Sequence, residues 1–155
     1  MEIILAENHG FCYGVKRAVE MANEAANSDG KSYTLGPIIH NPQVVGRLED
    51  KGVSPVQEVS DIEEGTMIIR SHGVGPAIYE EAEEKGLHIV DATCPYVKKA
   101  QQDAKSVIED GMTLVILGEK NHPEVKSINL WANNEGIIIE DEDSAQKLQV
   151  VEKMG

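Results

Sequence analysis

Short apolar runs, each bounded by Gly, Asp or Asn, alternate along this chain with longer stretches of helical period. Residues 3–6, 33–35, 67–69, 88–90, 113–117 and 137–139 are too short for helices and rich in β-branched side chains, so they are predicted strands. Residues 15–26 put Val15, Ala18, Val19, Ala22 and Ala25 on one face of a helix. The stretch 76–85 opens on a Pro suited to a first turn and stops before Gly86, and 96–109 and 123–132 read the same way. Strands and helices in this order predict an α/β fold with a largely parallel sheet covered by helices.

The pattern repeats. A predicted strand at 3–6 leads to Cys12-Tyr13-Gly14-Val15-Lys16-Arg17-Ala18, and one at 88–90 leads to Cys94-Pro95-Tyr96-Val97-Lys98-Lys99-Ala100. Leu35-Gly36 with His40, Pro42 and Val44 then echoes Leu117-Gly118 with His122, Pro123 and Val125. The spacing from Cys to His is 28 residues in both copies (12 to 40, and 94 to 122). Agreement of residue type and spacing at several points indicates repeated small parallel-sheet units. The expected division is a first strand within 1–12, a first unit at 13–93 and an incomplete second unit at 94–155. In the second copy, 137–139 takes the place that 67–69 holds in the first. The strand in 1–12 belongs by this pattern to a third unit, whose own Cys would lie beyond residue 155.

Composition narrows the functional classes. The 155 residues are 41% hydrophobic and 26% charged, an ordinary globular mix. Only 4% are aromatic, so the core must come from Ile, Val, Leu and Ala. A net charge of −13 argues against nucleic acid and anionic membrane as partners. It does not argue against a small anion held by a few local donors. There is no apolar run of membrane-spanning length and no signal peptide at the start. Two cysteines without an export signal fit a reducing cytoplasm.

Ligands of open parallel sheets bind beyond the carboxyl ends of the strands. Cys12, His40, His72, Cys94 and His122 all fall just past predicted strands. Glu124 follows His122 in a helix opened by Pro123, where free backbone N–H groups favour an anion. An isolated Cys is usually a small buried hydrophobe and an isolated His a surface group. His9 and His88 fit that ordinary reading, because neither repeats. The paired placement of Cys12 and Cys94 ahead of equivalent helices suits thiolate ligands instead. His72 lies in the Gly-flanked segment Ser71-His72-Gly73-Val74-Gly75. The acidic runs at 80–84 and 140–143 read as solvated faces. Cys-x-x-Cys, a phosphate loop and Gly-x-Ser-x-Gly are all missing, which disfavours zinc ribbons, P-loop enzymes and serine hydrolases.

Five segments carry a resemblance: Gly10-Phe11-Cys12-Tyr13-Gly14-Val15, Ile39-His40-Asn41, Ser71-His72-Gly73-Val74, Asp91-Ala92-Thr93-Cys94-Pro95 and His122-Pro123-Glu124-Val125. In this order, across nearly the whole chain, they resemble the 4-hydroxy-3-methylbut-2-enyl diphosphate reductases of the IspH/LytB family. The resemblance implies a trefoil of three related α/β units around a 4Fe-4S iron–sulfur cluster, with the third unit missing here. Cys12 and Cys94 would be two of three thiolate ligands, the third Cys being absent from this chain. His40, His72 and His122 would bind the substrate diphosphate as charged donors. Glu124 would be the catalytic proton relay. The implied activity is an iron–sulfur oxidoreductase of isoprenoid biosynthesis (the MEP pathway). It converts an allylic diphosphate to isopentenyl and dimethylallyl diphosphates with electrons from ferredoxin or flavodoxin.

Two other readings compete with this one. The chain is a non-catalytic module in which the thiols and histidines hold zinc, or share a cluster between two copies. Alternatively it is a phosphate-binding domain with inert cysteines. On the reductase reading the 155-residue chain is an N-terminal fragment that is inactive alone. A truncated second unit leaves sheet edge and helix surface uncovered. Self-association through that face is therefore expected, and a monomeric mass by light scattering would refute it.

Overall fold

The structure, a computed structural model, describes residues 2–7, 9–28 and 30–148. The chain runs α1 (Tyr13–Ala26), β1 (Ser32–Leu35), α2 (Pro42–Glu49), β2 (Val53–Val56), a short 3-10 turn (Val59–Asp61), β3 (Thr66–Ile69), α3 (Pro76–Glu84) and β4 (His88–Asp91). It continues through α4 (Pro95–Glu109), β5 (Val115–Leu117), α5 (Pro123–Trp131), β6 (Ile137–Ile139) and α6 (Glu142–Gln146). The first four strands form one parallel sheet in the order β2-β1-β3-β4, and β5 and β6 form a separate parallel pair.

The central strand β3 explains the apolar composition. Its Ile68 packs with Ala18, Ala22 and Ala25 of α1 and Leu48 of α2. Its neighbours Met67 and Ile69 pack with Val59, Ile62 and Ala82 of α3. All three strand residues are fully buried, as period-two alternation requires in a sheet covered on both faces. Small Ala side chains on α1 let that helix lie close to the sheet. A third core, built from Ala104, Leu114, Ile116, Val125 and Ala132, joins α4 and α5 to the second sheet.

Three expectations are corrected. Residues 3–6 form no strand: Ile3, Ile4 and Leu5 are 75%, 83% and 77% exposed. A strand needs a neighbour to satisfy its backbone, and no described strand pairs with this one. Next, β2 was not anticipated, because Ser54 and Pro55 break its apolar pattern. Pro is tolerated there because β2 is an edge strand. Finally, β6 is the counterpart of β2, not of β3. It pairs with β5 as β2 pairs with β1, each after one intervening helix. The acidic run at 140–143, read as a solvated face, leads into α6, started by a capping box between Asp141 and Ser144. Residues 149–155, the end of the expected second unit, lie outside the described residues.

Shortening Ile68 tests the two-sided core. Ile68→Ala is expected to lower unfolding stability by about 2–5 kcal/mol, read from the urea midpoint of Trp131 fluorescence. A loss below about 0.5 kcal/mol would show that the side chain is not packed as described.

Candidate functional site

The loops after β1, β3 and β4 prolong the sheet's order beyond its strands. Ser71 donates both its N–H and its hydroxyl to the carbonyl of Ile38, at 3.3 and 3.2 Å. Its own carbonyl accepts the N–H of Cys94 at 2.9 Å. One buried serine thus fixes the segments bearing His40, His72 and Cys94 side by side on one rim.

His40 and His72 meet there with ring centroids 4.5 Å apart. His122 arrives from the loop after β5 and closes a triangle, 6.0 Å from His40 and 5.7 Å from His72. Helix starts set the three rings differently. Asn41 caps α2, its side chain accepting the Val44 N–H, so His40 is relieved of capping and is exposed. In the second copy His122 is itself the cap of α5, its Nδ1 accepting the Glu124 N–H at 3.2 Å. That bond leaves Nε2 to carry the proton. Glu124 stands half-buried in the first turn of α5.

His72 is the ring most removed from water. Burial first, then the charges of His40, Arg70 and His122, push its pKa down to about 4. Its Nδ1 is inaccessible and has no hydrogen-bond partner. At neutral pH His72 is therefore a neutral ring in this chain.

The thiols stand at two helix starts. Cys12 is the N-cap residue of α1 and Cys94 that of α4, and neither side chain makes a capping hydrogen bond. Gly14, in the first turn of α1, abuts Cys94: a Cβ at Gly14 would come within 2.5 Å of the Cys94 Sγ. Close approach of the two helix ends, rather than a turn, is why glycine stands there. Arg17 adds a second tie, donating to the Thr93 carbonyl at 3.1 Å. Behind Cys94, Asp91 accepts the Thr93 N–H, pairs with Lys98 and takes the Tyr79 hydroxyl proton donor at 3.0 Å. Burial opposes ionisation of Asp91, but the bonds from Lys98 and Thr93 outweigh it and hold the carboxyl below its usual value. Burial and Asp91 together push the Tyr79 phenol up, so it stays protonated.

Soft thiolate donors at neighbouring helix starts suit an iron–sulfur cluster, and an orphaned imidazole nitrogen suits a polar ligand. Among the described residues no three His, Cys, Asp or Glu side chains are grouped to hold a metal ion. Sequence reasoning missed Ser71 and Arg17, since neither carries a signal separable from ordinary loop and helix residues. His9, whose Nδ1 lies 2.8 Å from the Ala6 carbonyl, and exposed His88 stay outside the site, as their lack of a repeat partner suggested.

The chain is thus an α/β protein built from repeated parallel-sheet units, with His40, His72, His122 and Cys94 brought to one rim. This chain belongs to the LytB protein family, whose model matches residues 3–155. Over all 155 residues it is 50% identical to the 4-hydroxy-3-methylbut-2-enyl diphosphate reductase of Geotalea uraniireducens, and 49% identical to that of Geobacter sulfurreducens. It spans 55% of the length of each. A solved (E)-4-hydroxy-3-methyl-but-2-enyl diphosphate reductase, described as the terminal enzyme of the non-mevalonate pathway, superposes with a TM-score of 0.79 at 49% identity. That match covers 91% of this chain and 52% of the other. The Plasmodium falciparum E-1-hydroxy-2-methyl-but-2-enyl-4-diphosphate reductase gives a TM-score of 0.90 at 30% identity, covering 96% and 48%. The parallel α/β fold is thus that of these reductases, and the chain covers about half of it. No helix among the described residues is long and apolar enough to cross a membrane.

The neutral state of His72 has a pH signature. The unfolded ring binds its proton near 6.5 and the folded ring near 4, so the unfolded chain holds more protons between those values. The associated stability is full above about pH 6.5 and is lost as the pH falls toward 4. Urea midpoints at pH 7 and pH 5 are expected to differ less in His72→Gln than in the parent. An identical pH dependence in both chains would count against the buried neutral ring.

Proposed function

We propose that this chain carries part of the active site of a cytoplasmic iron–sulfur reductase in the MEP pathway of isoprenoid biosynthesis. The reaction removes the hydroxyl of 4-hydroxy-3-methylbut-2-enyl diphosphate with two electrons and two protons. It yields isopentenyl or dimethylallyl diphosphate and water, the electrons coming from ferredoxin or flavodoxin. The observation that supports this most is the meeting of His40, His72 and His122, from two different sheets, on the rim that also bears Cys94.

Cys12 and Cys94 would hold two corners of a 4Fe-4S cluster, with the third thiolate supplied from the part of the relatives that this chain does not span. When bound, such a cluster supplies electrons and a Lewis-acidic iron. The imidazoles bind the diphosphate. An arriving anion reverses the electrostatics around His72, so its ring takes up a proton as the ligand seats, and affinity weakens as the pH rises. The proton on His122 Nε2 is already available for donation, because Nδ1 is engaged by Glu124. The Glu124 carboxyl, held one turn from the triangle by the same helix start, delivers a proton to the leaving hydroxyl.

Anaerobic iron–sulfide reconstitution tests the thiol assignment, with iron per chain and the visible spectrum as readouts. In a chain extended to the relatives' full length, Cys12→Ser and Cys94→Ser are each expected to lose the cluster, and Gly14→Ala to weaken uptake. Failure of the extended parent chain to take up iron would remove the reductase reading. One cluster per two copies of the 155-residue chain would favour a shared-cluster module instead.

A further inference from the structure

A second cationic space lies beside the imidazole triangle without belonging to it. It is a cavity of about 310 Å³ between the first sheet's rim and α5, lined among others by Gly36, Gln57, Arg70, Gly73, Lys126 and Ser127. No histidine, no Asp and no Glu lines it. In a chain of net charge −13 that is an unusual wall. The ion pairs among the described residues all use other cations, so neither Arg70 nor Lys126 has a carboxylate partner there.

Arg70 is held in place rather than splayed into water. Its Nε is inaccessible and has no hydrogen-bond partner, and its Nη1 lies over Gly36, where a Cβ would come within 2.7 Å. Gly36 has φ of +70°, so the turn and the close approach both call for glycine. In the same loop as Arg70, a Cβ at Gly73 would meet Gln101 Nε2 of α4 at 2.5 Å and Ser127 Oγ of α5 at 2.9 Å. The loop after β3 is thus seated directly against α4 and α5, which fixes the distance between the walls. A half-buried guanidinium without a partner costs free energy that an anionic ligand would recover.

We propose that this cavity is an anion site, taking inorganic phosphate or the terminal phosphate of a small phosphorylated molecule between Arg70 and Lys126. The anion joins the first sheet's rim to the second sheet's helix. The site goes beyond the reductase reading and does not depend on it.

Titration of the 155-residue chain with inorganic phosphate, followed through backbone amide resonances, tests it. Saturable shifts are expected at Gly36, Gly73 and Lys126. Losing one charge-assisted contact costs about tenfold in affinity, so Arg70→Gln and Lys126→Gln should each weaken binding by about that factor, while His88→Gln, at an exposed histidine outside both sites, leaves it unchanged. Lys126 is exposed, so Lys126→Gln carries the test even where Arg70→Gln disturbs folding. Absence of saturable shifts would overturn the proposal. So would binding abolished by His40→Gln and indifferent to Lys126→Gln, a result that assigns the anion to the imidazole triangle and leaves the reductase reading intact.

Discussion

Ser71 is the residue on which the geometry of the rim depends. Three hydrogen bonds, two given to Ile38 and one taken from Cys94, carry the β1–β3–β4 order past the ends of the strands. Loops beyond a sheet normally diverge, because nothing pairs their backbones. Here the backbones are tied again two or three residues past the strand ends, at Ile38, Ser71 and Cys94, so the order of the strands becomes the order of the segments bearing His40, His72 and Cys94. A side chain that satisfies a buried carbonyl at 6% exposure is part of the scaffold rather than a candidate for chemistry.

The same rigidity explains the state of His72. Its strand is covered on both faces, and the loop that follows cannot swing toward solvent without breaking the Ser71 bonds. Burial first, then the electrostatic influence of His40, Arg70 and His122, disfavours the charged ring. On the proposed function, a diphosphate arriving at this rim would meet a ring able to take up a proton. His122 reaches readiness by another route, since capping α5 fixes its tautomer without burying it to the same extent.

The sequence exposed the strands at 33–35, 67–69, 88–90 and 137–139 because apolar β-branched runs in parallel sheets are dense and unambiguous. It hid β2, where Ser54 and Pro55 are acceptable only because one edge faces no partner, a fact of topology and not of composition. It misplaced residues 3–6, whose apolar run satisfies the local rule for a strand while the pairing partner is a tertiary matter. Candidate chemistry was legible through the repeat, which singled out Cys12, His40, Cys94 and His122 by matched spacing. His72 has no repeat partner, and it was found through its glycine-flanked loop. The role of Gly14 was hidden: its missing side chain makes room for Cys94 across the helix ends, a contact between residues 80 positions apart.

The corrected correspondence between β6 and β2 shows how the two copies share the work. In the first sheet β1 has neighbours on both sides, and it is the inner one, β3, that leads to Arg70, Ser71 and His72. Among the described residues β5 pairs with β6 alone, and Leu117 at its end is 79% exposed. The second copy therefore contributes what its outer half can offer: a cap histidine, a first-turn carboxylate and a lysine on α5. The first copy contributes the inner half as well, with the buried imidazole and the serine that aligns it. A site assembled in this way has no internal symmetry even though its parts repeat. Equivalent histidines at 40 and 122 consequently differ in capping and exposure, because each answers to its own helix start rather than to its repeat partner.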